Sequence, residues 1–229
     1  MSVLVIGSLI VDNTLYVEKI PNQGETVIAK SSLSSLGGKG ANQAIAARLA
    51  GAQVNFIGCV GDDSEGNLYK NQLEDYGISS SAIITSDLEP TGSAFISVDD
   101  DGENSIVVNP GANHALSPEH LDKHINLFKQ SDIILLQLEV PMETITHACH
   151  LARANELSIL INPSPWNSAF NAEQFLCDVL ILNEIEAVQI SGTSNPSESL
   201  ESLRKFGLDM IIITQGSEPT LFMSGSGKI

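Results

Sequence analysis

Basic residues are scarce in this sequence: 11 lysines and arginines stand against 28 aspartates and glutamates, a formal net charge of −17. That balance excludes a polyanion held by bulk positive charge, whether nucleic acid or an anionic membrane surface. If the chain binds phosphate, it must do so through local donors. Long apolar runs are missing too: nothing approaches the ~18–20 apolar residues that a membrane-spanning helix needs. The opening Met1-Ser2-Val3-Leu4-Val5 enters a strand pattern at once, with no basic segment and no cleavage site. No signal peptide is therefore expected, and a cytoplasmic location is. Cysteine is limited to Cys59, Cys149 and Cys177, at spacings that suit neither a metal site nor a disulfide framework. Each sits in or beside an apolar run, as a buried thiol in a reducing compartment does. Internal repeats and low-complexity tracts are absent.

What is present is an alternation. The 229 residues, 42% of them hydrophobic, suffice for one α/β core with a small appendage. The apolar runs Val3–Leu9, Val54–Val60, Asp132–Leu138, Ser158–Ile161, Asp178–Leu182 and Asp209–Thr214 read as buried parallel strands. Helical patterns lie between them: Ala41–Ala50 stopped by Gly51, Ser64–Tyr76 stopped by Gly77, one opened by Ser117-Pro118, then Met142–Asn155 and Ser197–Phe206. Strand alternating with helix predicts a doubly wound, mostly parallel sheet covered on both faces, a single domain over residues 1–229. Two regions break the rhythm. Thr14–Tyr16 and Thr26–Leu33 flank Pro21-Asn22-Gln23-Gly24, and Ser93–Val98 and Ser105–Val108 alternate across Asp99-Asp100-Asp101-Gly102, a hairpin signal. These pieces, about 14–35 and 93–109, are too short and polar for the main sheet. They read as a small antiparallel β lid, or as ordinary surface hairpins.

The strongest local signal is Gly37-Gly38-Lys39-Gly40-Ala41-Asn42-Gln43. Glycines let a backbone approach a ligand closely and expose N–H groups at a helix N-terminus. A Walker A loop is excluded, because Leu33 stands where that loop needs glycine and no Ser or Thr follows Lys39. A dinucleotide fingerprint is excluded as well. Asp12 and Glu139 each follow a predicted strand, where ligands of open α/β sheets gather; a turn aspartate and a solvated loop acid are the plain alternatives. Asn183 and Glu186 stand three apart after the strand ending at Leu182. That spacing suits a helix cap and also suits waters around Mg²⁺, and both can hold together. Thr214-Gln215-Gly216-Ser217 could place donors near a nucleotide or be a simple turn. The pairs His120/His124 and His147/His150 lack the partners of a metal site.

Taken in order, these residues resemble the ribokinase-like (PfkB-type) carbohydrate kinase family, closest to ribokinase. The resemblance runs from Gly7-Ser8 to Thr214-Gln215-Gly216-Ser217. It rests above all on Gly37–Gln43, with support from Gly61-Asp62-Asp63-Ser64-Glu65-Gly66, Asn109-Pro110-Gly111-Ala112-Asn113 and Asn183-x-x-Glu186. It implies ATP-dependent phosphorylation of a small sugar, D-ribose or a related furanose, at a primary hydroxyl. It assigns Asp12, Gly38, Lys39, Asn42 and Glu139 to the sugar, and Asn183, Thr214 and Gly216 to the nucleotide. Glu186 and Asn183 would order Mg²⁺ through water. It also implies a homodimer through the lid and a monovalent cation, K⁺, in the complete enzyme.

Two departures qualify it. Ribokinases proper carry Asn two residues before the equivalent of Asp12, where this chain has Ile10. One sugar-hydroxyl contact is lost, or the substrate lacks that hydroxyl. The family's second signature, an Asp-Thr-x-Gly/Ala-Ala-Gly-Asp segment with the anion hole and the aspartate base, is expected beyond Ile229. The 229 residues alone are accordingly expected to be inactive. The alternatives are a nucleoside or other sugar kinase of the same fold, or a truncated non-catalytic sugar-binding protein. A sugar-phosphate kinase would want more basic residues near the lid.

Overall fold

Residues 3–6 are apolar without a break, and the chain buries them on two sides at once. The computed structural model describes residues 1–170 and 177–225. Its strands are β1 (Ser2–Ile6), β2 (Ile10–Tyr16), β3 (Ser31–Gly37), β4 (Gln53–Gly61), β5 (Ile83–Ser86), β6 (Gly92–Val98), β7 (Asn104–Asn109), β8 (Ile133–Leu136), β9 (Ser158–Ile161), β10 (Val179–Asn183), β11 (Met210–Gln215) and β12 (Glu218–Ser224). Its helices are α1 (Lys39–Leu49), α2 (Ser64–Asp75), α3 (Pro118–Lys123), α4 (Ile125–Lys129), α5 (Met142–Ala154), α6 (Glu184–Ser191) and α7 (Pro196–Leu203).

The main sheet has the order β12-β11-β10-β9-β8-β1-β4-β5, with every neighbouring pair parallel except β11–β12. Side chains alternate across a strand. Val3 and Val5 therefore enter one core with Ala41, Ala44, Tyr69 and Leu73 of α1 and α2. Leu4 and Ile6 enter the other, with Phe128, Ile145, Ala148, Ala187 and Leu203 of α4 to α7. The chain winds outward from β1 in both directions, so the strand order reverses between β1 and β8. Cys59, Cys149 and Cys177 are free and buried. No helix among the described residues is long and apolar enough to cross a membrane.

The second sheet has the order β3-β2-β6-β7 and stands over the carboxyl ends of the main sheet as a lid. Its outer pairs are antiparallel; its central pair, β2–β6, is parallel, because both strands leave the core at their first residues, Ile10 and Gly92. Several expectations change here. The run Val3–Leu9 is not one strand: β1 stops at Ile6, where α1 crosses so closely that a Cβ on Gly7 would lie 2.8 Å from the Gly40 Cα. Asp12 consequently lies inside β2, and the lid begins at Ile10 in place of Thr14. Its partner strand is Ser31–Gly37, not Thr26–Leu33. The serines hide that strand from a hydrophobicity reading, yet every one of its residues pairs with β2. Edge strands β5 and β12 carry no strong apolar run and were not expected; the helix opened by Ser117-Pro118 divides at His124 into α3 and α4.

Candidate active site

Open α/β sheets bind ligands at the carboxyl ends of the strands where the order reverses. Here those strands are β1 and β8, and Ser8 and Glu139 follow them. The Ser8 hydroxyl donates to a Glu139 carboxylate oxygen, and the Lys39 backbone N–H donates to the same oxygen at 2.9 Å. The Gly40 N–H reaches the Ser8 hydroxyl oxygen at 3.3 Å, and the Ala41 N–H donates to the Ser8 carbonyl at 3.0 Å. A carboxylate thus sits on the first turn of α1, where free N–H groups and the helix dipole favour negative charge. Gly38 is the N-cap of that helix, with φ of 84°.

Asp12 comes down from the lid onto the same place. A Cβ on Gly37 would lie 2.1 Å from an Asp12 carboxylate oxygen, so a side chain there would push the acid from this position. Burial pushes the Asp12 carboxyl above its ordinary range, the Glu139 charge pushes it further, and the Lys39 ammonium opposes both. Asp12, Lys39 and Glu139 therefore form one electrostatic cluster. Asn42, also on the first turn of α1, is exposed.

From Lys39 a cleft of about 500 Å³ runs along the sheet ends to Gln43, Asn162, Asn183, Glu186 and Thr214. Asn183 and Glu186 cap α6 reciprocally. The Glu186 N–H donates to the Asn183 side-chain oxygen at 2.8 Å, and the Asn183 N–H to a Glu186 carboxylate oxygen at 2.9 Å. Glu186 is only 5% exposed. Capping uses one oxygen of each side chain and leaves the other oxygen of Glu186. No group of three or more His, Cys, Asp or Glu that could hold a metal ion occurs among the described residues. The pair therefore does not form a protein cage, and the oxygen that Glu186 has left could accept from the water of a hydrated ion. The Thr214 hydroxyl donates to the Leu182 carbonyl at 3.3 Å. Gly216 occupies the turn between β11 and β12, with φ of 56°, and stands apart from the lining of the cleft.

Four residues of this region escaped the sequence reading as site residues. Ser8 is one. The others form a chain of amides: Gln137 donates to Gln43 at 2.5 Å, Gln43 to Asn162 at 3.3 Å, and Asn162 to the Ile181 carbonyl at 2.9 Å. Only Gln43 stood in a motif. The histidines stay outside the site: α3 ends before His124, His120 bonds back to the Ser117 N–H at 3.1 Å, and His147 pairs with Asp122 at 2.8 Å. A larger groove of about 600 Å³, between the lid and α2, holds none of the nominated residues.

Residues 1–229 match the family described as pfkB family carbohydrate kinase. A ribokinase of Haemophilus influenzae is 35% identical over 229 residues, which cover 98% of this chain and 74% of that protein. A deoxyribokinase of Salmonella typhi is 34% identical over 237 residues, covering 100% and 77%. The solved structure of Arabidopsis thaliana ribokinase complexed with ribose and ATP superposes with a TM-score of 0.87 at 27% identity, covering 99% of this chain and 75% of that one.

Proposed function

The chain belongs to the pfkB family of carbohydrate kinases, and from that premise we propose that it transfers the γ-phosphoryl group of ATP to a primary hydroxyl of D-ribose or a close furanose relative. The observation that carries the reading is the convergence of Asp12, Lys39 and Glu139 on the α1 N-terminus, at the mouth of a cleft that leads to Asn183 and Glu186.

Phosphoryl transfer is mainly positioning and charge stabilisation. Asp12 accepts hydroxyl hydrogen bonds from above, and the free oxygen of Glu139 accepts another from below. Asn42 and the Gly38 backbone complete the rim. Lys39, shared by both halves, faces the transferred group from the sugar side. Asn183 and Glu186 would hold Mg²⁺ through its waters, and Thr214 and Gly216 would border the nucleotide. When bound, the ion supplies charge neutralisation of the phosphates. The lid closes over the sugar and excludes water. Its exposed apolar side chains, among them Leu33, Phe95, Ile106 and Val107, support a homodimer formed through the lid. Three buried free thiols suit a reducing cytoplasm.

A second reading concerns the sugar. Ile10 lies two residues before Asp12, on the same face of β2, and is 3% exposed. An apolar side chain at this point favours a sugar that lacks a hydroxyl there, such as a deoxypentose. A panel of ribose, deoxyribose and other furanoses, assayed by coupled ADP release in a full-length version that carries the family's second signature, with Ile10 or with Ile10→Asn, separates the two. Ribose or deoxyribose turnover upholds the kinase reading, and a shift of preference toward ribose in the variant assigns Ile10 to the sugar. Absence of ATP-dependent turnover with every furanose would overturn the proposal.

A further inference from the structure

Tyr69 is wholly buried in α2, within the core that α1 and α2 make with the sheet. Its hydroxyl leaves that core and ends at the root of the lid. There it accepts the Ile10 N–H at 3.1 Å and faces the carbonyls of Ile10 and Gly37, each at 2.5 Å. Ile10 and Gly37 are partners in the β2–β3 register, the last pair before the lid joins the core. A phenol has one proton, so the two carbonyls share it, and the Ile10 N–H takes up a lone pair. Three buried backbone groups from two paired strands thus meet at one oxygen. The adjoining residue, Leu9, is held independently: Asn113 accepts its N–H and donates to its carbonyl, both at 2.9 Å.

Beyond this root the lid has little support. The groove between β2, β3 and α2 is open, and Leu15, Leu33 and Phe95 are exposed. The orientation of the lid is therefore decided at its base. Asp12 lies two residues outward from Ile10, and Lys39 two residues beyond Gly37. Resting on the reading that these two residues meet the sugar, we infer that Tyr69 is a positioning residue: its hydroxyl pins the two strands at the lid root and so sets Asp12 against Lys39 and Glu139. Without it, both carbonyls lose this donor and the root is held by strand pairing alone.

Tyr69→Phe keeps the ring and removes only the oxygen. Calorimetric sugar affinity is expected to fall about tenfold, the scale of one to two lost hydrogen bonds, with MgATP affinity unchanged. Incorporating 4-aminophenylalanine at position 69, which restores a donor, is expected to recover most of the loss. Leu73→Ala weakens the same core without touching the root, and is expected to lower thermal stability while leaving sugar affinity within about twofold. An unchanged affinity in Tyr69→Phe, or an equal loss in Leu73→Ala, overturns the inference. Hydrogen exchange on the unmodified protein tests the pin without any variant: the Ile10 amide is expected to exchange with the core, far more slowly than the Leu15 and Leu33 amides. Exchange of Ile10 as fast as Leu15 overturns it. If Asp12→Ala is also without effect on sugar affinity, the sugar-site reading falls together with the inference; if Asp12→Ala weakens binding and Tyr69→Phe does not, the inference falls alone.

Discussion

The two halves of the site are held in different ways. On the proposed sugar side, Ser8 bonds to Glu139 across 131 positions of sequence and Lys39 to Glu139 across 100, while Asp12 arrives from the lid. On the proposed nucleotide side, the Asn183 and Glu186 side chains cap each other's backbone, three positions apart, and Gly216 sits in an exposed turn. The sheet beneath differs in the same sense. Val3, Val5 and Val54 lie sealed under α1 and α2, whereas on β9 to β11 Leu160, Ile181 and Ile212 are only half-buried. The sugar half is a tertiary object, in which one residue supports several elements. The proposed nucleotide half is more local: its cap joins residues three apart, and Thr214 reaches the adjoining strand at the Leu182 carbonyl.

The largest effect should come from Glu139→Ala. It removes the acceptor of two charge-assisted bonds as well as the proposed sugar contact, each worth roughly 1.5–3 kcal/mol, so sugar affinity should fall by ~100-fold or more. The lid and α1 should lose exchange protection together, because the carboxylate ties α1 to the ends of β1 and β8. Calorimetry and hydrogen exchange measure the two. A loss of affinity with α1 untouched would break the comparison. Asp12→Ala removes one charged partner and should weaken sugar binding by at least ~10-fold with the fold kept. Unchanged binding of every sugar would take Asp12 out of the site.

Glu186→Gln probes the other half. The amide oxygen can still accept the Asn183 N–H, so the cap survives and thermal stability should move little. The charge is gone, and MgATP affinity should fall by about tenfold at constant sugar affinity. A large fall in stability would show that this half is as interwoven as the first. The smallest effect is electrostatic. Because burial raises the folded Asp12 carboxyl above its ordinary value of 3.8, the native state favours its protonated form. Its stabilising contribution is full below that value and is lost as pH rises through the raised one. Asp12→Asn, which imitates the protonated form, should therefore melt slightly higher than wild type at pH 7, on the order of 1 °C with solvent screening, and the gap should close below pH 4. A wider gap at low pH would reverse the sign.

Most of the architecture was legible in the order of residues. Continuous apolar runs need cover on both faces, and their alternation with helical periods leaves a doubly wound sheet as the economical solution. The α6 cap was legible too, since Asn183 and Glu186 are bonded at a spacing that a local rule describes. The lid was seen but misplaced: Ser31–Gly37 has no hydrophobic signature, and its strand character comes from pairing with β2.

The sequence by itself determined the two-faced core, the glycine-rich helix start and the identity of the acids that end up near it, because these follow from periods of two and 3.6 and from backbone freedom that act over a few residues. Only the tertiary structure decided that Ser8 links Glu139 to α1, that Gln137, Gln43 and Asn162 form one chain, and that Tyr69 reaches the root of the lid. Those contacts join residues 32 to 131 positions apart. No periodicity reaches so far; they exist because the strand order reverses at β1, bringing the ends of β1 and β8 under the same helix N-terminus.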